Sequence, residues 1–260
     1  EGETVVDMLR IREFREDQNV IFATEKGTVK KTVLADYRNV RRSGIIAINL
    51  EEDDRLVQTR LTSGGDDVIL ATRAGTVIRF PEREVRATGR STTGVRGISL
   101  EGADVVCAFD VVDPEATFLI ACGNGYGKRT PFGDFRVTHR GGKGIIGIRV
   151  NARNGAVVAA HAVRDGESLV MVTANGMMVR SPVDQVRLCG RGAQGVRLIS
   201  LEAGDKLVSA SVAPPEDDDE GAEAAAPPAA GAMETTGAGA PEAGEGAAED
   251  ADAENGSGQQ

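Results

Sequence analysis

The amino-acid sequence predicts an all-β fold, a propeller-like array of four-stranded blades repeating about every 50 residues, followed by a disordered acidic tail. Three observations predict it. A glycine-centred box recurs as RRSGIIAINL, STTGVRGISL, GGKGIIGIRV and GAQGVRLISL, with shared glycines Gly44, Gly94, Gly144 and Gly195 spaced 50, 50 and 51 residues apart. A hairpin signal keeps nearly the same step, its glycines Gly27, Gly75, Gly125 and Gly176 lying 48, 50 and 51 residues apart. Helical patterning is missing, since no stretch of useful length places apolar residues at i, i+3, i+4 and i+7.

Each unit opens with a hairpin: IFATEKGTVKK, ILATRAGTVIR, IACGNGYGKR and MVTANGMMVR. An apolar run, a short turn containing Gly and a second run are the signature of a tight turn, because Gly and Asn accept the positive φ it needs. A long polar loop then carries the glycine box into a third strand. An acidic or Gly-rich turn leads to a closing strand, marked by Val57, Val106, Val158 and Val208. A further copy of that last landmark at Val6 predicts the final strand of a unit whose earlier strands are not present, and the chain, opening on Glu1 rather than Met, reads as a fragment. Residues 1–212 are thus expected to hold that strand and four blades at about 18–61, 66–112, 116–164 and 167–212. Such units bury their faces on one another. The period is near that of kelch repeats, and the Trp-Asp signal of the shorter WD40 blade is absent from a chain without Trp.

Composition changes after Val212. Residues 213–260 hold 13 of the 40 acidic residues and none of the 30 basic ones, the rest being almost entirely Ala, Gly, Pro, Thr and Ser. Such a segment buries too little apolar surface to offset its ordering entropy and is expected to be disordered. The net charge of −10 therefore divides into +3 on the body and −13 on the tail, which is placed to compete with a polyanion for basic surface.

Most catalytic chemistries are excluded by spacing. In HRGGKGIIGIRV, Val137 stands where a phosphate-binding Walker loop needs its first Gly, and Gly144 stands where it needs Ser or Thr. His139 and His161 have no Cys or carboxylate at ligand spacing, and Cys107, Cys122 and Cys189 are too dispersed for a metal pair or a disulfide framework. The acidic run Glu51–Asp54 reads as a solvated turn, and neither Tyr37 nor Tyr126 has an activating neighbour in sequence. No catalytic or metal site is expected, and no apolar run approaches a membrane span.

What repeats in phase is positive charge. Lys31, Arg79, Arg129 and Arg180 each stand four residues after a hairpin glycine. Around the box stand Arg41 and Arg42, then Arg90 and Arg96, then Arg140 and Lys143, then Arg191 and Arg197. Arg86, Arg136 and Arg187 coincide eight residues before the box glycine. In a radial array equivalent positions fall on equivalent surfaces, so these side chains are expected to form a basic belt suited to a curved polyanion. The box glycines beside them would let backbone approach closely and offer amides. The plainer alternatives are outward arginines that merely solvate each blade, and a protein-interaction propeller.

The stretch GNGYGKRTPFGDFRVTHRGGKGIIGIRVNARNG, Gly123 to Gly155, together with GRGAQGVRLISL and the acidic tail, closely resembles the C-terminal domain of DNA gyrase A subunits, in the type IIA topoisomerase family. The resemblance covers residues 1–212. It implies a six-bladed β-pinwheel, in which adjacent blades exchange strands and a basic rim wraps duplex DNA without reading sequence. It also implies a bacterial, cytoplasmic, nucleoid-associated holoenzyme of two A and two B subunits that introduces negative supercoils, with ATP and Mg2+ bound elsewhere and the catalytic tyrosine upstream. The family's seven-residue box, Gln, basic, Arg, Gly, Gly, basic, Gly, is matched best at Thr138–Gly144. Arg140, Gly141, Gly142, Lys143 and Gly144 agree, whereas Thr138 and His139 depart. The related topoisomerase IV A subunit, which decatenates, carries a more degenerate pinwheel, and the regular repeat and acidic tail are closer to gyrase.

Overall fold

A computed structural model describes residues 4–215 of the chain. The expected disordered tail lies outside the described residues from position 216 onward. The first unit contributes β1 (Asn19–Thr24), β2 (Thr28–Val33) and β3 (Leu56–Thr62). The second contributes β4 (Asp67–Thr72), β5 (Thr76–Pro81), the two-residue box strand β6 (Val95–Arg96) and β7 (Val106–Val111). The third contributes β8 (Thr117–Cys122), β9 (Tyr126–Pro131), the box strand β10 (Ile145–Ile146) and β11 (Val157–Val163). The fourth contributes β12 (Ser168–Thr173), β13 (Met178–Pro182), the box strand β14 (Val196–Arg197) and β15 (Leu207–Ala213).

Each hairpin turn places its glycine at positive φ, with Gly75 at 87°. A Cβ there would stand 2.4 Å from the carbonyl oxygen of Ile148, so the position requires Gly for space as well as for conformation.

The sheets do not coincide with the sequence units. Their strand orders are β3-β1-β2-β6, β7-β4-β5-β10, β11-β8-β9-β14 and β15-β12-β13. Every box strand therefore leaves its own unit and pairs antiparallel with the second hairpin strand of the preceding one, Val29 facing Val95 and Gly127 facing Val196. This is the strand exchange that the family resemblance implies.

The core lies between consecutive blades rather than within them. Ile21 and Val29 of the first blade pack with Leu70, Phe80 and Phe109 of the second, all buried. At the next junction Phe118, Phe132 and Phe135 of the third blade, with ring centroids 5.6 Å apart in each pair made by Phe118, pack in one cluster with Ile69, Ala71 and Val77 of the second. Each such side chain contributes about 1.5–3 kcal/mol on full burial, and the share gained against the neighbouring blade exists only when both blades are present. The closing strands β3, β7, β11 and β15 line the interior, joined blade to blade by Val106 N–H to Glu25 O (2.9 Å), Val157 N–H to Arg73 O (3.0 Å) and Leu207 N–H to Gly123 O (2.8 Å). Residues of all four surround a cavity of about 880 Å³.

The strand expected at Val6 does not form. Residues 4–18 carry no strand, and Val6 is half exposed. A closing strand needs a hairpin to pair with, and none among the described residues is open to this segment. Asp7 instead accepts hydrogen bonds from the Thr59 N–H (2.7 Å) and hydroxyl (3.0 Å), while Leu9, Ile11 and Phe14 cover the apolar face formed by Val20, Phe22, Leu34 and Tyr37.

Candidate nucleic-acid interface

The strand order puts the basic positions at the periphery. In each of the first three sheets the second hairpin strand has its outer edge covered by the next unit, at one end by the box strand and at the other by a single bridge: Lys31 to Ala87, Arg79 to Val137, Arg129 to Leu188. The box arginines of the second to fourth units and the segment holding Arg86, Arg136 and Arg187 thus lie along one outer edge; the first box, with Arg41 and Arg42, forms no strand.

The in-phase cations fall into two classes. The series four residues beyond the hairpin glycine is largely used in packing, which corrects the expectation that it forms part of the exposed belt. Lys31 is buried, donates to Glu82 O at 2.9 Å and stands 3.5 Å from the Glu82 carboxylate, itself fully buried. Arg79 pairs with Asp67 (2.8 Å) and donates to Phe132 O (2.9 Å) in the next unit. Arg129, also buried, donates to Val186 O (2.9 Å) and to Asp165 (2.5 Å). Each long side chain reaches the short turn of the following unit, so packing repeats with the same period that ligand binding would. Arg180, in the fourth unit, is exposed and donates to Pro214 O at 3.0 Å.

The other class is presented. Arg41, Arg42, Arg96 and Arg197 are exposed. Arg86, Arg136 and Arg187 are exposed too, and their guanidinium groups have no hydrogen bond or ion pair among the described residues. Their backbone is held by the packing class, through Thr88 N–H to Lys31 O (2.9 Å), Thr138 N–H to Arg79 O (2.9 Å) and Cys189 N–H to Arg129 O (2.8 Å). Phase alone marked this series; the strand order is what gives it a role.

The third box is the most constrained. Arg140, half-buried, donates through Nε to Glu84 O (3.0 Å) and through Nη1 to Arg96 O (3.1 Å), and its N–H reaches the Glu84 carboxylate (2.9 Å). That N–H, aided by His139 at 2.7 Å, holds the Glu84 carboxyl below its ordinary range. Arg191 repeats the bracket, donating to Ile146 O at 3.1 Å. Lys143 is exposed but pairs with Glu101 at 2.9 Å. The glycines close the fit between units rather than opening amides to a ligand. Gly141 donates to Gly97 O (2.6 Å), Gly142 O accepts the Ser99 N–H (2.9 Å), and Gly144, at φ 77°, would bring a Cβ to 2.7 Å from Val77 O.

Two residues outside the sequence-based set anchor the boxes from within. Lys30 and Lys128 are fully buried. Lys30 donates to Ala47 O and to the carbonyl of Arg90, itself half-buried; Lys128 donates to Gly190 O (2.7 Å) and Arg191 O (2.6 Å). Burial lowers both ammonium groups to about 8. A lysine one residue before the in-phase basic position was the available signal, present in two units and replaced by Ile78 and Val179 in the others.

Burial pushes the Cys107 and Cys122 thiols up to about 12, leaving them unreactive. Among the described residues no group of three or more His, Cys, Asp or Glu is placed to hold a metal ion, and no helix is long and apolar enough to cross a membrane.

Comparison with known proteins gives a consistent result. Residues 18–63, 66–113, 119–164 and 167–214 match the family described as DNA gyrase C-terminal domain, beta-propeller. The chain is 43% identical over 207 residues to the DNA gyrase A subunit of Salmonella typhimurium and 41% identical over 210 residues to that of Staphylococcus aureus, covering 80% of this chain and 24% of each relative. It thus spans about a quarter of the length of these proteins. A solved DNA gyrase A C-terminal domain superposes with a TM-score of 0.74 at 26% identity, over 81% of this chain and 71% of that one. The C-terminal domain of a DNA topoisomerase IV gives 0.74 at 25% identity, over 80% and 65%.

Proposed function

Because the chain belongs to the DNA gyrase C-terminal domain family, we propose that its outer edge binds duplex DNA without sequence preference and bends it across successive blades, as part of a gyrase A subunit. The observation that carries this reading is the in-phase series Arg86, Arg136 and Arg187, exposed, unpartnered and set beside the box arginines along one edge. Packing accounts for Lys31, Arg79 and Arg129, but not for guanidinium groups without a polar partner among the described residues. Bending a site of 20–30 base pairs by 40–90° costs about 1–6 kcal/mol, so several phosphate contacts must act together, and a repeated series supplies them.

In this reading the duplex runs from box to box, with phosphates on the exposed arginines and the braced Arg140 and Arg191 fixing the spacing of the track. Arg90 and Lys143 lie within the same band. The holoenzyme would be the ATP-driven, negatively supercoiling A2B2 assembly with gyrase B subunits, in the bacterial cytoplasm at the nucleoid. ATP, Mg2+ and the cleavage chemistry would belong to its other parts. Identity of 41–43% to gyrase A subunits favours gyrase over topoisomerase IV.

The test is DNA binding by the chain as a function of duplex length and salt, with end-to-end distance read by fluorescence transfer. The expected result is ends drawn together and an affinity that falls with salt at a slope of about −0.9 per phosphate contacted. Straight DNA, or binding independent of length, would refute wrapping and favour a protein-interaction propeller.

A further inference from the structure

The junction between the third and fourth units differs chemically from the other two. The turn after each box is acidic in three units, with Glu51 and Asp54, Glu101 and Asp104, and Glu202 and Asp205, but in the third it reads Asn151-Ala152-Arg153-Asn154. The Asp in those three turns accepts the N–H of a hairpin residue, Lys26 (2.9 Å), Ala74 (2.9 Å) or Asn175 (3.1 Å). The third turn is held without a carboxylate. Asn154, fully buried, donates to Arg149 O and Gln194 O at 3.0 Å each, and Asn124 Nδ2 donates to the carbonyls of Ala152 (3.0 Å) and Arg153 (3.1 Å). The turn is held as firmly as its counterparts, with both acids gone and an arginine added.

That arginine meets Tyr126. The Arg153 guanidinium lies 4.7 Å from the centroid of the Tyr126 ring, and the Arg197 guanidinium lies 5.8 Å from it with Nη2 3.4 Å from the phenol oxygen. The positions equivalent to Tyr126 are Thr28, Thr76 and Met177, none able to stack a cation. Neither arginine has a carboxylate partner among the described residues. At the preceding junction, by contrast, Lys143 is neutralised by Glu101, the counterpart of Asn151. Arg197 and Arg153 also lower the Tyr126 hydroxyl pKa, as two cations beside a phenol must.

We propose that Arg153, Tyr126 and Arg197 form a phosphodiester clamp at the junction of the third and fourth units. The two guanidinium groups contact DNA backbone phosphates, and Tyr126, as a positioning residue, fixes their separation. Cation–π contacts of this kind hold a guanidinium in place without neutralising it, which a carboxylate would do. The clamp rests on the DNA-binding reading above, adding Arg153 to it and making this junction the strongest point on the track.

The chain itself supplies the probe. It has no Trp and two tyrosines, and Tyr37 is buried, so a change in tyrosine emission on adding ligand reports on Tyr126. The experiment measures DNA affinity against salt for the whole chain and for Arg153→Ala, Arg197→Ala, Tyr126→Phe and Tyr126→Ala. Expected are a tyrosine signal lost in Tyr126→Phe, a salt slope shallower by about 0.9 in either arginine variant, an unchanged slope in Tyr126→Phe, which keeps the ring, and weakened, non-additive binding when Tyr126→Ala is combined with Arg153→Ala. An Arg153→Ala slope equal to that of the parent chain, with the parent still binding DNA, would overturn the clamp alone. If the parent chain does not bind DNA the broader reading fails, and titration with tripolyphosphate decides the clamp: saturable quenching lost in Arg153→Ala supports it, and no quenching refutes it.

Discussion

Lys128 Nζ lies 2.6 Å from the carbonyl oxygen of Arg191, 63 residues further along the chain. Arg191 in turn donates to Ile146 O, so one buried ammonium ties a hairpin to the next box and, through it, to the box before. Replacing Lys128 by Met fills similar volume but strips the Gly190 and Arg191 carbonyls of their donor. Leaving such groups unsatisfied costs about 1–3 kcal/mol. Urea denaturation should show that loss, and amide exchange should accelerate first around residues 190–197.

The same lysines give a pH dependence of definite sign. Burial lowers Lys30 and Lys128 from 10.5 to about 8, so between those values the folded chain has released protons that the unfolded chain still holds. Stability rises with pH wherever the unfolded state binds more protons. Below about 8 the cost of burying the charged ammonium is present in full, and it disappears as pH rises. Urea midpoints at pH 7 and 9.5 should therefore move upward for the parent chain relative to a Lys30→Met, Lys128→Met variant. A relative fall would contradict the depressed values.

The two classes of in-phase cation predict two separable phenotypes. Arg129→Ala removes a buried bracket and should cost about 1–3 kcal/mol of stability while leaving the salt slope of DNA binding unchanged. Combining Arg86→Ala, Arg136→Ala and Arg187→Ala should leave the urea midpoint within error and flatten the slope by up to about 0.9 per residue removed. Equal effects of both sets on stability would erase the distinction.

Gly144 and Gly166 share a positive φ, 77° and 85°, but differ in surroundings. A Cβ on Gly166 meets nothing within 4 Å, whereas on Gly144 it meets Val77 O at 2.7 Å and Thr76 Cγ2 at 2.9 Å. Gly166→Ala should cost about 1–2 kcal/mol from conformation alone. Gly144→Ala should cost more and lift β10 off β5, which exchange protection at residues 145–146 would register.

The period, the hairpins and the all-β class were legible because glycine at a tight turn leaves an unmistakable spacing, at Gly27, Gly75, Gly125 and Gly176. Sheet membership was not legible, since a two-residue strand such as Val95–Arg96 carries no signal of which hairpin it joins. Nor could phase separate Lys31 from Arg86: both recur with the blade, and only burial distinguishes the side chain that braces a neighbour from the one that faces water. The Tyr126 cluster was invisible for another reason. Arg153 stands where no other unit carries a basic residue, and its partner Arg197 lies 44 residues away, brought near only by strand exchange.

Strand exchange also sets how the chain can be shortened or lengthened. A deletion that takes a hairpin but spares the next unit's box leaves that box without a sheet, and one that takes a box but spares the hairpin before it leaves that hairpin with an unsealed edge. Removing one whole period takes out one of each wherever in the unit the cut falls, and the next box then meets the hairpin left open. Variants of differing blade number therefore arise by gain or loss of whole periods, and the point within the unit at which the crossover falls is immaterial.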